Sequence, residues 1–322
     1  MAETVSEVFN DADADVIFRS SDGVHLHLHK VILSKVSSVF QCMFTLPNVP
    51  SPSPGPETAV QVVQVAENAV VLEDLFRLCY PMEHEQIKDL NHLRSVLDAA
   101  RKYDMTFILK RLQDNLRLVA PSRALRVYCV AYLTKCADVA EYAARLLLGS
   151  FKLLLPCNLP HELEELPAMA LAQLVIYHET CMSSAEGVLD DDAWMGTAIL
   201  DPDLGMYEAD MVPWVWLTCE SCQVADEYEQ PDDDDIVGQF VRPRAWWCLY
   251  RDAAKTALSF RPNHPTVTET HLMERALRQA ARCTTCAPEA ASHLLQYSQK
   301  AANRIEARIS QIKLGLTFSD EE

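Results

Sequence analysis

Residues 15–44 read DVIFRSSDGVHLHLHKVILSKVSSVFQCMF, and their alternation decides how the first third of the chain folds. Asp15–Arg19 is a short β-prone run, and Ser20-Ser21-Asp22-Gly23 is a turn cluster in which Gly23 supplies a positive φ. The strand that follows, Val24–His29, places Leu26 and Leu28 on one face and His25, His27 and His29 on the other. Period two predicts one core face and one polar face. Beyond it, Val39/Met43 and Phe40/Phe44 are apolar pairs four residues apart on a short helix, which Ser37 or Ser38 caps and Pro47 stops. Three histidines on one strand face raise the question of a metal. No cysteine or further histidine lies beside them in sequence to complete a tetrahedral set, so they are expected to be ordinary strand positions.

Working outward, Val60–Val65 reads as a strand and Val70–Cys79 as an amphipathic helix ending at Tyr80-Pro81. His92–Lys102 and Phe107–Leu116 read as a closing helical pair. In this order the D-V, D-G, H-K-V-I-L-S and S-S-V-F-Q-C-M-F pieces resemble a BTB/POZ domain over residues 13–118. The form with a proline-rich insertion and a Leu78-Cys79-Tyr80-Pro81 helix end is similar to BTB proteins abundant in mushroom-forming fungi. The resemblance implies an α+β fold, a small β-sheet framed by helices, whose members associate with other proteins and often homodimerise. It places His29 at the histidine of the family's H-K pair, a packing and hydrogen-bonding position. Strand exchange at the extreme N-terminus is family behaviour, for which only Val5, Val8 and Phe9 supply β-prone residues. Some relatives are substrate adaptors of cullin-type ubiquitin ligases and carry a hydrophobic-x-acidic motif after the second helix. Here that stretch holds Pro47, Pro50, Pro52, Pro54 and Pro56, which favour an extended loop and count against a cullin scaffold as partner.

The rest of the chain is expected to be mainly α-helical. Residues 119–185 contain paired Ala- and Leu-rich helical stretches that resemble the BACK extension of BTB proteins, followed by a helix over Leu166–Cys181. Residues 186–241 form an acidic, loop-rich segment, and residues 242–318 a helical C-terminal region. The net charge is −18, and between Leu153 and Val241 there are 20 acids and no Lys or Arg. Such a stretch repels phosphate and argues against nucleic acid as a partner. It reads first as a solvated surface and second as a docking surface for a basic partner. The run Asp232–Asp235 lacks the alternating ligands, glycine and distal glutamate of a calcium loop. Trp194, Trp214, Trp216, Trp246 and Trp247 all fall in this half of the chain and are expected as buried anchors. Ser298, Ala302, Ile305, Ile309, Ile312 and Leu316 make a narrow apolar stripe on a helix predicted over Ala290–Leu316, packing within the chain or pairing with a second copy.

The sharpest chemical signal is a pair of CxxC motifs, Cys219-Glu-Ser-Cys222 and Cys283-Thr-Thr-Cys286. Thiolates at this spacing grip one edge of a zinc ion, and two pairs complete a closed tetrahedral site. Their separation exceeds that of a zinc ribbon, so three readings stay open: structural zinc on all four, free buried thiols, or a redox or disulfide pair. His178 and Cys181 are the spare candidates. A thioredoxin-like setting, a nucleophile elbow, a phosphate loop and an HExxH motif are all missing, so no enzyme activity is expected. No apolar run is long enough to span a bilayer, and the acidic N-terminus does not read as a signal peptide. Eleven cysteines then fit a reducing compartment, cytoplasm or nucleus. The sequence therefore reads as a non-enzymatic interaction protein that docks partners or self-associates through its N-terminal domain; the alternative is a substrate adaptor of a cullin-type ubiquitin ligase, with a transcription-regulatory role less favoured.

Overall fold

The computed structural model describes residues 4–46, 60–150, 159–191, 214–225, 243–316 and 318. Its contacts divide the chain into two units, Met1–Ala144 with Asn158–Leu166, and Arg145–Cys157 with Pro167–Glu322. The proline-rich stretch, the Asp232–Asp235 run and Trp194 lie outside the described residues.

The first unit grows from the hairpin read above. Strand β2 (Val16–Arg19) pairs antiparallel with β3 (Val24–Leu28) in the register Val16↔Leu28 to Arg19↔His25. Between them Gly23 takes a φ of 85°, and the Ser20 hydroxyl accepts from the Val24 amide at 2.9 Å, which closes the turn. Two parallel partners complete a four-stranded sheet of order β1-β3-β2-β4, with β1 at Thr4–Asn10 and β4 at Gln61–Gln64. Strand β1 pairs with β3 through Val5↔His25. Strand β3 is thereby interior, and His25 is buried where the sequence pattern suggested an open polar face. An N-terminal strand was hard to read because Thr4–Asn10 alternates poorly, with Ser6 buried and Val5 exposed.

Helices α1 (Lys30–Val36), α2 (Ser38–Thr45), α3 (Ala69–Arg77), α4 (Leu90–Lys102) and α5 (Thr106–Leu133) frame this sheet. Their starts are capped as the sequence dictates: Ser37 accepts from the Phe40 amide and Asn68 from the Val71 amide, both orphan donors of a first turn. Phe18, Phe40 and Phe76 meet edge-on or tilted at 5.2–6.3 Å, with Tyr103 4.6 Å from Phe40. Each such ring buried is worth about 1.5–3 kcal/mol, with about 0.5–1.5 kcal/mol more per aromatic pair. His29 does what a packing histidine does: the Tyr80 hydroxyl accepts from its amide at 2.9 Å and lies 3.2 Å from its Nδ1.

The break expected after Leu118 is a kink, because α5 runs on through Pro121 and leaves helical geometry only at Arg123 (φ −146°, ψ 44°). Helix α6 (Ala137–Leu147) follows. A short 3-10 turn, His161–Glu164, then returns to the first unit, where the Glu162 carboxylate is buried and accepts from Arg126 Nε at 2.7 Å. Arg94 grips Glu165 with two hydrogen bonds of 2.8 and 2.6 Å.

The second unit is helical: α7 (Ala168–Asp190), the single turn α8 (Val215–Thr218), α9 (Ala245–Leu258), α10 (Thr270–Ala280) and α11 (Ala290–Ile309). Of the apolar stripe, Ser298, Ala302, Ile305 and Ile309 are buried within this unit. The helix stops at Ile309 rather than reaching Leu316, and Gly315 turns the chain with a φ of 67°. No helix among the described residues is long and apolar enough to cross a membrane.

Candidate metal centre

The two CxxC pairs are brought together by two different local devices. In the first arm, α8 ends on Cys219, whose amide donates to the Val215 carbonyl at 3.0 Å. The chain then runs through Cys222 into an antiparallel bridge between Val224 and Arg244, flanked by Ala225 N–H to Pro243 O and Ala245 N–H to Gln223 O. In the second arm, Cys283 and Cys286 form the corner between α10 and α11: the Cys283 amide donates to Ala280, and the Cys286 carbonyl accepts from Glu289 and Ala290. Pro288 sits where a helix tolerates a residue without an N–H.

Across the arms, Cys219 Sγ lies 3.7 Å from Cys283 Sγ, and Cys222 Sγ lies 3.6 Å from Cys286 Sγ. All four sulfurs fall within 4.8 Å of one another. A tetrahedral zinc ion with Zn–S bonds of about 2.3 Å requires sulfurs about 3.8 Å apart, so the spacing fits the ion. No disulfide joins these sulfurs, since bonded sulfurs approach to about 2.05 Å. Cys219 and Cys286 are buried while Cys222 and Cys283 are half-buried, so the tetrad has an enclosed side and an accessible side.

The thiols are electrostatically unequal. The amide of Cys286 donates to the Cys283 sulfur, and with the Thr285 amide and neighbouring thiols it pulls the Cys283 thiol down to about 6. Burial pushes Cys222 up to about 11 and raises Cys286 as well; the other thiols add to the rise at Cys286, while at Cys222 the Cys283 and Cys219 thiols raise it and Cys286 opposes them. Cys283 thus ionises readily while Cys222 and Cys286 hold their protons, which is how clustered acids behave without a cation among them. Backbone amides already aimed at Cys283 are the donors a metal-bound thiolate needs.

Behind the cysteines lies an aromatic cluster. Trp214 and Trp216 stack at 4.8 Å, Trp216 and Trp247 stack at 5.9 Å, and Trp246 meets Trp216 edge-on at 5.9 Å. Tyr297 of α11 packs edge-on against Trp214, Trp216 and Trp247. His293 Nδ1 accepts from the Val215 amide at 3.1 Å, so that nitrogen is already engaged. The indole N–H groups of Trp216, Trp246 and Trp247 are buried with no hydrogen-bond partner. Each orphan donor costs about 1–3 kcal/mol and requires a physical reason. The four described tryptophans are core anchors as read, but their N–H groups were not anticipated. The signal for them was the placement of Trp216 and Trp246 within a few residues of a CxxC pair and of the strand that pairs with it.

Among the described residues, these four cysteines are the group of three or more His, Cys, Asp or Glu side chains gathered closely enough for a metal. His25, His27 and His29 converge on no such group, and the spare candidates His178 and Cys181 stay outside it on α7. Burial pushes the Cys181 thiol up to about 11, as for an inert core cysteine.

Residues 6–118 match the profile of the BTB/POZ domain family. This part of the chain is a BTB/POZ domain. BTB domains commonly self-associate and bind partner proteins. No curated protein matches the chain.

Proposed function

We propose that the protein is a non-enzymatic interaction protein of the cytoplasm or nucleus. Its BTB/POZ domain mediates self-association or partner docking, and a structural zinc ion clasps its helical unit. The observation that carries the first part is the BTB/POZ match over residues 6–118 on a complete sheet-and-helix framework. The exposed apolar side chains of Val31 and Val39 on α1 and α2, and Leu46 just after α2, supply surface for association. The mechanism is burial of complementary surface without chemical turnover. Sedimentation equilibrium of the full chain tests self-association. A dimer weakened at least tenfold by Val31→Asp with Leu46→Asp supports it, and a monomer at high micromolar concentration leaves partner docking as the domain's role.

The zinc reading rests on sulfur spacing that suits a tetrahedral thiolate site. Zinc there would draw thiolates from both arms onto one centre and supply no reaction. A reducing compartment suits it, since the ten cysteines among the described residues are all free thiols. Metal content per chain, measured on protein purified without chelator or tag metal, tests it. One equivalent that is lost in both Cys219→Ser and Cys283→Ser supports a shared site, and none in folded protein removes it.

A further inference from the structure

Four cysteines can pair in three ways, and the geometry of the tetrad chooses among them. Cys222 and Cys283 are half-buried, while Cys219 and Cys286 are enclosed. A small oxidant such as hydrogen peroxide therefore meets Cys222 or Cys283 first. Joining those two to each other would leave the enclosed pair out of the oxidant's reach. Each of the other two pairings gives every accessible sulfur an enclosed partner, either within its own CxxC motif or across the two arms.

Distance and direction decide between these. Across the arms, Cys283 Sγ faces Cys219 Sγ at 3.7 Å and Cys222 Sγ faces Cys286 Sγ at 3.6 Å, each pair as hydrogen-bond partners. The sulfurs within one motif share only the general limit of 4.8 Å. A disulfide of about 2.05 Å requires each facing pair to close by about 1.6 Å, a shift that rotation about the cysteine Cα–Cβ bonds supplies. The first arm, held by one helical turn and one bridge, is light enough to follow it.

We propose that peroxide oxidises the tetrad to two cross-arm disulfides, Cys219–Cys283 and Cys222–Cys286, so that the clasp stays closed when its thiols are consumed. In each pair the accessible sulfur, as thiolate, attacks peroxide. The O–O bond breaks, the sulfur becomes a sulfenic acid, and the departing hydroxide takes up the thiol proton. The enclosed thiol facing it then attacks that sulfur, the S–S bond forms, and the sulfenic oxygen leaves as water. Two thiols thus pass two electrons to one peroxide and yield one disulfide and two waters. Disulfides of this transient, oxidant-sensing kind are those a reducing compartment allows. The chemistry needs only the four sulfurs and stands apart from the zinc reading. Where a metal occupies the tetrad, the oxidised sulfurs are no longer thiolate ligands, and the metal is released.

The test treats the full chain, zinc-treated and metal-stripped, with a small molar excess of hydrogen peroxide. Remaining thiols are alkylated, and the unreduced protein is cut with trypsin and a glutamate-specific protease. Cleavage after Glu220 and after Arg282 separates Cys219 from Cys222 and frees the second motif. Mass spectrometry with fragmentation between Cys283 and Cys286 then assigns the partner of each. Peptides joined as 219–283 and 222–286 should make up most of the linked material in both preparations. Tryptophan emission should stay at its parental wavelength, because the arm 214–225 remains joined to the second motif. Disulfides within the motifs, a 222–283 bond, or sulfinic acids without disulfide overturn the proposal. Cross-arm disulfides in a protein that binds no zinc would remove the zinc reading and leave this one standing. Within-motif disulfides in a protein that does bind zinc would do the reverse.

Discussion

In the BTB/POZ domain many of the stabilising partners are near in sequence or follow from a repeating pattern. A four-residue turn joins β2 to β3, Ser37 caps the helix it precedes, and Phe18, Phe40 and Phe76 meet because three amphipathic elements turn the same faces inward. The helical unit is built otherwise. Its first arm, 214–225, is short and offers one turn of helix and one bridge, and its cysteines meet partners 64 residues away. One region is closed by many modest contacts spread over its sheet and helices, while in the other the short arm 214–225 is tied to the second CxxC corner through the cysteine tetrad. The lesson is that the second should fail at one point and the first by degrees.

On the zinc reading, the largest effect should therefore come from removing the metal. All five tryptophans lie outside residues 6–118, so intrinsic fluorescence reports on the helical unit alone. Chelation, or Cys286→Ser, should cost the helical unit about 5 kcal/mol or more, shift the tryptophan emission to the red and flatten the near-ultraviolet dichroism of the indoles. Amide exchange in α3 and α4 of the BTB/POZ domain should stay as slow as in the parent. Equal loss of protection in both regions would break the comparison.

The converse change is Phe76→Ala, which empties a fully buried site among Phe9, Phe18 and Phe40. It should destabilise the BTB/POZ domain by about 3–5 kcal/mol. Denaturant titration followed by exchange in the sheet should show the loss, while tryptophan emission and metal content stay at parental values. Release of metal by Phe76→Ala would mean that the two regions unfold together.

This division also explains what could be read from the chain. The BTB/POZ framework was legible because its signals are local: turn chemistry at Ser20–Gly23, period two in β3, and apolar pairs at helical spacing in α2. Strand β1 was not, since a bulge between Val5 and Asn10 interrupts its alternation and its pairing is set by β3. In the helical unit the four cysteines were legible as a chemical type with a characteristic spacing. Which of them are enclosed depends on how α8, α9 and the α10–α11 corner meet, and no sequence period encodes that. Helix α11 was overextended for a related reason: Ile312 keeps the heptad spacing, but the Gly315 turn and the burial of Leu314 favour ending at Ile309.

A smaller effect is expected where the chain returns to the first unit at His161–Glu164. Glu162 is 1% exposed in its side chain and pairs with Arg126, which is 22% exposed. Glu162→Ala removes the carboxylate but leaves the guanidinium with its bond to Asn91 Oδ1 and within reach of water, so the cost should fall near about 3 kcal/mol, at the low end for a broken buried pair. Glu162→Gln, which keeps the shape and one acceptor oxygen, should recover part of it. The urea midpoint of the first unit is the readout, and a loss of less than about 1 kcal/mol would show that the pair behaves as a surface one.

The smallest effect sharpens the comparison by placing the same device in each unit. Arg94 holds Glu165 in the first and Arg261 holds Glu269 in the second, each through two hydrogen bonds. In both cases the guanidinium holds the carboxyl below its ordinary value of 4.5. A carboxylate whose folded value is depressed binds fewer protons folded than unfolded. Its stabilisation is therefore full above about pH 4.5 and is lost as the pH falls through the lowered value. Solvent screening limits the Arg261–Glu269 pair to less than about 1 kcal/mol. Glu269→Gln should thus lower stability slightly at pH 7, and the difference from the parent should close by about pH 3. The subtraction matters, because acid would also release a thiolate-bound metal, and from both proteins alike. A gap that widened toward acid would mean that Glu269 supports the metal-free fold rather than pairing with Arg261.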